Sequence, residues 1–162
     1  MALGRVYTVD SGLITLAATT QTLMLAATAP STATCDIQAI RIGLASGSGV
    51  SYPANGTVAC GLYRNTGART AGLALTPSPH NTGDVAAQTS WWSGSTAITG
   101  FTIGTALLWN MVLPFTAGAN WGEWVTPGAE WRIPISASAG IWLTCSSAGT
   151  ATQFQIEAVF SE

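Results

Sequence analysis

Apolar and polar residues alternate with a period of two along most of the chain. In residues 153–160 every second position is apolar, and Gln or Glu stands at most of the positions between. Residues 57–64 repeat the pattern, with Val58, Cys60 and Leu62 on one side. An extended strand points successive side chains to opposite faces, so this period predicts strands with one buried face.

Residues 35–44 change phase in the middle of an apolar run. Ile37 is out of step with Ile40 and Ile42. One extra residue in a strand shifts the alternation by one, so we expect a β-bulge near Ala39. Alternation or apolar runs predict further strands at residues 3–9, 13–18, 21–27, 101–113, 121–125, 130–135 and 140–146.

Helix patterns are nearly absent, because no window of a dozen residues keeps apolar positions at helical spacing without Gly or Pro. Turn-forming clusters rich in Gly, Pro, Asn and Ser separate the strands. The longest predicted loop is residues 74–90, a length at which loops usually carry function or assembly contacts. We therefore predict one all-β domain over residues 1–162, an antiparallel sandwich or barrel of about eight to ten strands.

The chain is poor in charge: five Arg, no Lys and seven Asp plus Glu make charged residues 7% of 162, against about 25% in an ordinary domain. No basic patch can neutralise phosphates, which argues against nucleic-acid binding. With a single histidine the sequence offers no metal or cofactor motif. Few charges also protect a surface poorly against association, so either Ser and Thr solvate it or partner chains cover it.

Residues 85–122 contain no charged side chain, yet Gly, Pro, Asn and Ser interrupt them too often for a spanning helix. The first ten residues read as a strand and not as a signal peptide. We expect no membrane partner and synthesis in the cytoplasm of the producing cell.

Candidate catalytic residues are few. His80 lies in the long loop without a triad signature around it. Glu123 and Glu130 flank a Thr-Pro-Gly turn, so a hairpin would bring this carboxylate pair together between tryptophans, as a glycosidase requires. Solvent exposure or pairing with Arg132 is the simpler interpretation. Cys35, Cys60 and Cys145 lack metal or redox spacing and are expected to be buried thiols.

Seven tryptophans all lie in the latter half of the chain. The adjacent pair Trp91 and Trp92 points to opposite faces if extended, and Trp142 stands opposite the aliphatic side of its strand. Tryptophan with depleted charge is typical of the centre of a protein interface. Arg64 and Arg69 bracket a predicted hairpin turn that could dock on a neighbour. The candidate interface residues are Trp91, Trp92, Trp121, Trp124, Trp142, Arg64 and Arg69.

The second half of the chain resembles small virion proteins of tailed bacteriophages, namely head decoration or fibre-like subunits. The likeness covers mainly residues 105–162, and its pattern is carried by residues 113–115 (LPF), 121–124 (WGEW), 127–134 (PGAEWRIP), 138–143 (SAGIWL) and 159–162 (VFSE). It implies a jelly-roll-like β-sandwich that acts through surfaces, commonly as a homotrimer on a capsid, and it transfers no functional residue.

Two hypotheses follow. The first is a non-enzymatic virion subunit that self-associates and attaches to major capsid or tail proteins, without cofactor or metal. The alternative is a carbohydrate-binding β-sandwich module in which exposed tryptophans stack on a glycan.

Overall fold

The computed structural model describes residues 4–16, 21–44, 56–115, 121–125, 131–145 and 152–162. These residues form β-strands joined by turns and loops, with no α-helix among them. No helix of the described part is long and apolar enough to cross a membrane.

Twelve strands form two antiparallel six-stranded sheets. The first sheet contains β1 (Val6–Leu16), β3 (Cys35–Leu44), β6 (Ser78–Pro79), β9 (Trp121–Val125), β10 (Arg132–Ile133) and β12 (Thr152–Ser161). The second sheet contains β2 (Thr22–Thr28), β4 (Gly56–Thr66), β5 (Leu73–Leu75), β7 (Ser90–Ser93), β8 (Thr102–Phe115) and β11 (Ser138–Cys145).

The order of the strands is that of a jelly roll. In the first sheet the order is β10-β3-β12-β1-β6, with β9 pairing beside β10 on the same edge of β3. In the second sheet it is β5-β7-β2-β11-β4-β8. The last strand thus lies between β1 and β3, and β11 lies between β2 and β4, as when one long hairpin wraps into two facing sheets. The predicted all-β sandwich is confirmed.

The core lies between the sheets and is built from the alternating positions of the sequence. Val58, Cys60 and Leu62 of β4 are buried, while the neighbouring Thr57 and Ala59 are exposed. The largest fully buried side chains come from both sheets: Tyr7, Met24, Leu25, Ile37, Ile40, Ile42, Leu62, Ile133, Ile141, Phe154 and Phe160. Facing apolar sides of the two sheets therefore close on one another and exclude water.

The bulge expected in β3 is present. The register with β12 pairs Ala39 with Val159 but Ile37 with Phe160, so Gln38 is the extra residue. Both Ile37 and Ile40 are consequently buried despite their odd spacing. A second irregularity, between Asp10 and Leu13, joins what the sequence predicts as two strands into the single strand β1.

Two hairpin predictions are wrong. Arg64, Asn65 and Thr66 lie within β4, which pairs with β8 and β11, so they form no hairpin tip. The segments on either side of the Thr-Pro-Gly sequence do not pair with each other, because β9 and β10 both pair with β3. Turn residues permit a hairpin locally, but here the edge of β3 offers partners for both segments.

The long predicted loop at 74–90 contains short strands and closes one side of the sandwich. The chain passes from β5 in the second sheet to β6 in the first and back to β7. Tyr7 donates its phenol hydrogen bond to the carbonyl of Val85 at 3.0 Å. The Glu162 carboxylate accepts the backbone N–H groups of Gln88 and Thr89 at 2.9 and 2.5 Å, which fixes the segment against the end of β12.

Candidate interaction surfaces

The outer face of the first sheet is charged. The register places Asp10, Glu157, Arg41 and Glu123 in one row across β1, β12, β3 and β9. Arg41 forms an ion pair with Glu157, and the Asp10 carboxylate accepts a hydrogen bond from the Gln155 amide at 2.5 Å. Taking ionised groups such as these out of solvent is costly unless each keeps a good partner.

A bidentate ion pair extends this charged face. Arg132 donates to the two carboxylate oxygens of Asp36 at 2.6 and 2.8 Å, and this contact raises the pKa of the guanidinium. Arg132 thus has a carboxylate partner on β3, whereas Glu130 and the side chain of Glu123 lie outside the described part of the structure.

The second sheet has almost no charge. Six charged residues lie in strands of the first sheet, whereas Arg64 is the single one in the strands of the second. Arg64 donates across the sandwich to the carbonyl of Arg132, and partial burial lowers the pKa of its guanidinium. It is thus turned toward the first sheet. Among the described residues the outer face of the second sheet meets one cation, Arg69 from the loop after β4.

On the outer side of β2, Leu23 and Ala26 are buried in a small cluster with Ile98 and Phe101 of the 94–101 segment. We call the outer side of β4 and β8 the neutral face. Among the described side chains, its exposed large apolar residues are Val112, 62% exposed, and Leu107, 44% exposed, both on β8. The ring of Tyr63 lies over Gly61, where an added Cβ would stand 2.3 Å from it. A surface with exposed apolar groups and no charge is unusual in a water-exposed sheet.

A groove opens at one side of the neutral face, between the start of β2, the 94–101 loop and β11. We call it the Trp142 groove; it has a volume of about 490 Å³. Its apolar walls are Leu23, Ile98, Phe101 and Trp142, and Gln21, Thr22 and Thr99 also line it. A volume of this size fits a small-molecule site.

The structure separates the candidate tryptophans into three groups. Trp91 is 2% exposed and packs in the core on Phe160, at 5.0 Å between ring centroids. Trp92 and Trp142 belong to the outer side of the second sheet, so the prediction that Trp91 and Trp92 face opposite ways is confirmed. Trp121 and Trp124 lie in β9 at the edge of the first sheet.

The candidate arginines also separate. Arg64 is partly buried and reaches toward the first sheet. Arg69 places its guanidinium 4.6 Å from the ring centre of Trp92, a cation–π contact. Of the candidate interface residues, the structure brings together Arg69, Trp92 and Trp142 around the groove and the neutral face.

The described residues show no assembled catalytic site. His80 is exposed and its Nε2 shares a hydrogen bond with the Thr8 hydroxyl at 2.6 Å. Glu123 lies in β9 beside Arg41 in the register, and Glu130 lies outside the described residues. The hairpin that would have joined the two carboxylates is absent from the described strands. Within these residues no three His, Cys, Asp or Glu side chains are grouped to hold a metal ion.

Cys35 and Cys60 are buried free thiols, as predicted; the side chain of Cys145 is outside the description. Burial raises the pKa of Cys35 to about 12, with smaller contributions from Thr89, which opposes the rise, and from Glu162 and Asp36. Burial alone raises the pKa of Cys60 above its usual range. Both thiols are therefore protonated and unreactive at neutral pH.

Sequence reasoning did not find the neutral face or the Trp142 groove. The charge difference is visible in the sequence only after each strand is assigned to its sheet. The groove joins residues 21–23, 94–101 and 142, which no local pattern connects. Comparison of the chain with protein-family models, with curated proteins and with solved structures gave no match.

Proposed function

We propose that this protein is a non-enzymatic structural subunit of a tailed-bacteriophage virion, which self-associates, with a trimer as the expected form, and binds capsid or tail proteins. The observation that carries the proposal is the contrast between the charged outer face of the first sheet and the neutral face of the second. The resemblance of residues 105–162 to virion subunits supports the proposal that the protein is part of a phage particle.

The neutral face fits a second copy of the same chain. Burial of the charged face would remove several ionised groups from water, at a cost of several kcal/mol for each ion left without a good partner. In a cyclic trimer the neutral face of each copy meets a different surface of its neighbour, and the neutral face brings no charge that needs compensation. Its Val112 and Leu107 gain from leaving water.

The neutral face supplies about half of a standard subunit contact. Its strands β4 and β8 contain 11 and 14 residues. At about 3.3 Å per residue and about 4.8 Å between strands, they cover roughly 400 Å². A standard protein interface buries about 800 Å² on each partner, so residues beside these two strands must contribute the rest of the contact.

Val112→Arg is expected to raise the dissociation constant of the assembly by about 100-fold or more. The new guanidinium would be buried in an interface that offers it no counter-ion, and the desolvation cost appears in association and not in folding. Light scattering across a dilution series measures the mass, which for the native protein is expected to be three times the 16.6 kDa of one chain.

Thr15→Arg is the matched control, since Thr15 is exposed on the outer face of the first sheet. It should leave the mass unchanged. A native protein that is monomeric at all concentrations contradicts the proposal, as does an equal effect of both variants. The virion setting is tested by mass spectrometry of purified particles of the phage that encodes the chain; particles without it contradict that part.

A further inference from the structure

We propose that the Trp142 groove binds a neutral saccharide. This inference stands apart from self-association, because the groove lies on the β2 and β11 side of the sheet, whereas the exposed apolar residues of the proposed contact lie on β8. The ligand class follows from the walls, the polar groups and the fixed shape of the groove.

Aromatic side chains form two of the walls. Trp142 is only partly buried, and its indole N–H donates to the Asn65 side-chain oxygen at 3.0 Å, which fixes the ring plane. Phe101 meets Trp92 edge-on at 6.1 Å between centroids. The C–H face of a pyranose ring is apolar and flat, so it packs on a fixed aromatic surface in the way another ring does.

The polar groups of the groove are neutral. Gln21, Thr22 and Thr99 offer amide and hydroxyl groups, and no charged residue is among the described residues that line the groove. The Thr99 hydroxyl already shares one hydrogen bond with Thr70, at 2.9 Å, and keeps capacity for a second. Such groups match the hydroxyls of a sugar but give no counter-charge to a phosphate, a carboxylate or a cation.

The loop that forms the outer wall is held in place before any ligand arrives. Its Gly94 N–H donates to the Met24 carbonyl at 2.8 Å, and the Thr70 N–H donates to the Thr99 carbonyl at 2.9 Å. Gly100 has a φ of +89°, and an added Cβ would stand 2.1 Å from the Ala68 carbonyl oxygen. A preformed groove avoids the entropic cost of ordering a loop on binding.

The experiment uses the full chain on an array of neutral and acidic glycans, followed by calorimetry with the best neutral hit. Binding to neutral hexose, deoxyhexose or N-acetylhexosamine glycans is expected. Trp142→Ala should weaken it by about tenfold or more, and Trp142→Phe, which keeps an aromatic face, should weaken it less.

A second variant covers the case in which Trp142→Ala fails to fold. Ala97 is exposed at the groove, so Ala97→Arg should block the ligand without touching the core. Ala86→Arg, at an exposed position away from the groove, is its control and should bind normally. Absence of binding to every neutral glycan, binding confined to acidic glycans, or full binding by Ala97→Arg overturns the inference.

The same variants separate this inference from the proposed function. Ala97→Arg should leave the mass of the assembly unchanged, and Val112→Arg should leave the affinity for a monovalent saccharide unchanged. A protein that assembles but binds no neutral glycan refutes the saccharide inference alone. One that binds but stays monomeric refutes the proposed self-association alone.

Discussion

Phe160→Ala is expected to lower the free energy of unfolding by about 3–5 kcal/mol, the range observed for large-to-small changes of buried aromatic residues. Phe160 is completely buried in β12, the strand between β1 and β3. Its ring stacks on the ring of Tyr7, with 5.3 Å between ring centroids, and contacts the ring of Trp91 of the opposite sheet, with 5.0 Å between centroids. The truncation therefore removes apolar contacts from both sheets at once and leaves a cavity between them.

Urea unfolding followed by tryptophan fluorescence measures this loss. Phe160→Leu keeps most of the apolar volume and is expected to cost less than the alanine variant, and it provides the comparison if the latter does not fold. Thr105→Ala, at an exposed position of β8, is the surface control and should change stability by about 0.5 kcal/mol or less. A loss below about 1 kcal/mol for Phe160→Ala would show that the two sheets do not depend on this ring.

The contact between Phe160 and Trp91 also shows what sequence periodicity can predict. The alternation of side chains along a strand predicts that Trp91 and Trp92 point to opposite faces, because neighbouring side chains of any extended chain do so. It also predicts the bulge in β3, because a shift of phase in the apolar residues can be satisfied only by an extra residue. Both predictions are local, and both are confirmed.

Strand pairing is not local, and here the sequence was misleading. The Thr-Pro-Gly sequence after β9 has the composition of a hairpin turn, yet β9 and β10 lie one after the other along β3. The choice depends on which edge is free and which apolar side chains reach the core, such as fully buried Ile133. Turn chemistry permits a pairing but does not select it.

The candidate surfaces depend on the same non-local assignment. Because a jelly roll sends successive strands to different sheets, the charged strands β1, β3 and β12 come together, and so do the uncharged strands β2, β8 and β11. A low overall charge in the sequence thus becomes, in the fold, one charged face and one neutral face. That segregation, and not the low charge itself, is what supports self-association through a particular surface.

Alkaline pH is expected to destabilise the protein, because two protonated thiols are part of its core. Burial raises the pKa of Cys35 to about 12 and that of Cys60 further, while both thiols of the unfolded chain ionise near an ordinary value of about 9. Above pH 9 the unfolded state loses these protons and the folded state keeps them. The contribution of each thiol to the free energy of unfolding is complete below pH 9. Above that pH it falls by about 1.4 kcal/mol per pH unit for each thiol.

Urea unfolding at pH 7, 9, 10 and 10.5 tests this dependence, because it gives the slope of the free energy of unfolding against pH. Cys60→Ala is expected to reduce the loss of stability per pH unit above pH 9 by the contribution of one thiol, and Cys35→Ala with Cys60→Ala by that of two, although each alanine lowers stability at pH 7 through a small cavity. The slope, and not the stability at one pH, distinguishes ionisation from packing. An equal slope in the native protein and the double variant would mean that the thiols do not couple pH to folding, and that other groups cause any alkaline loss.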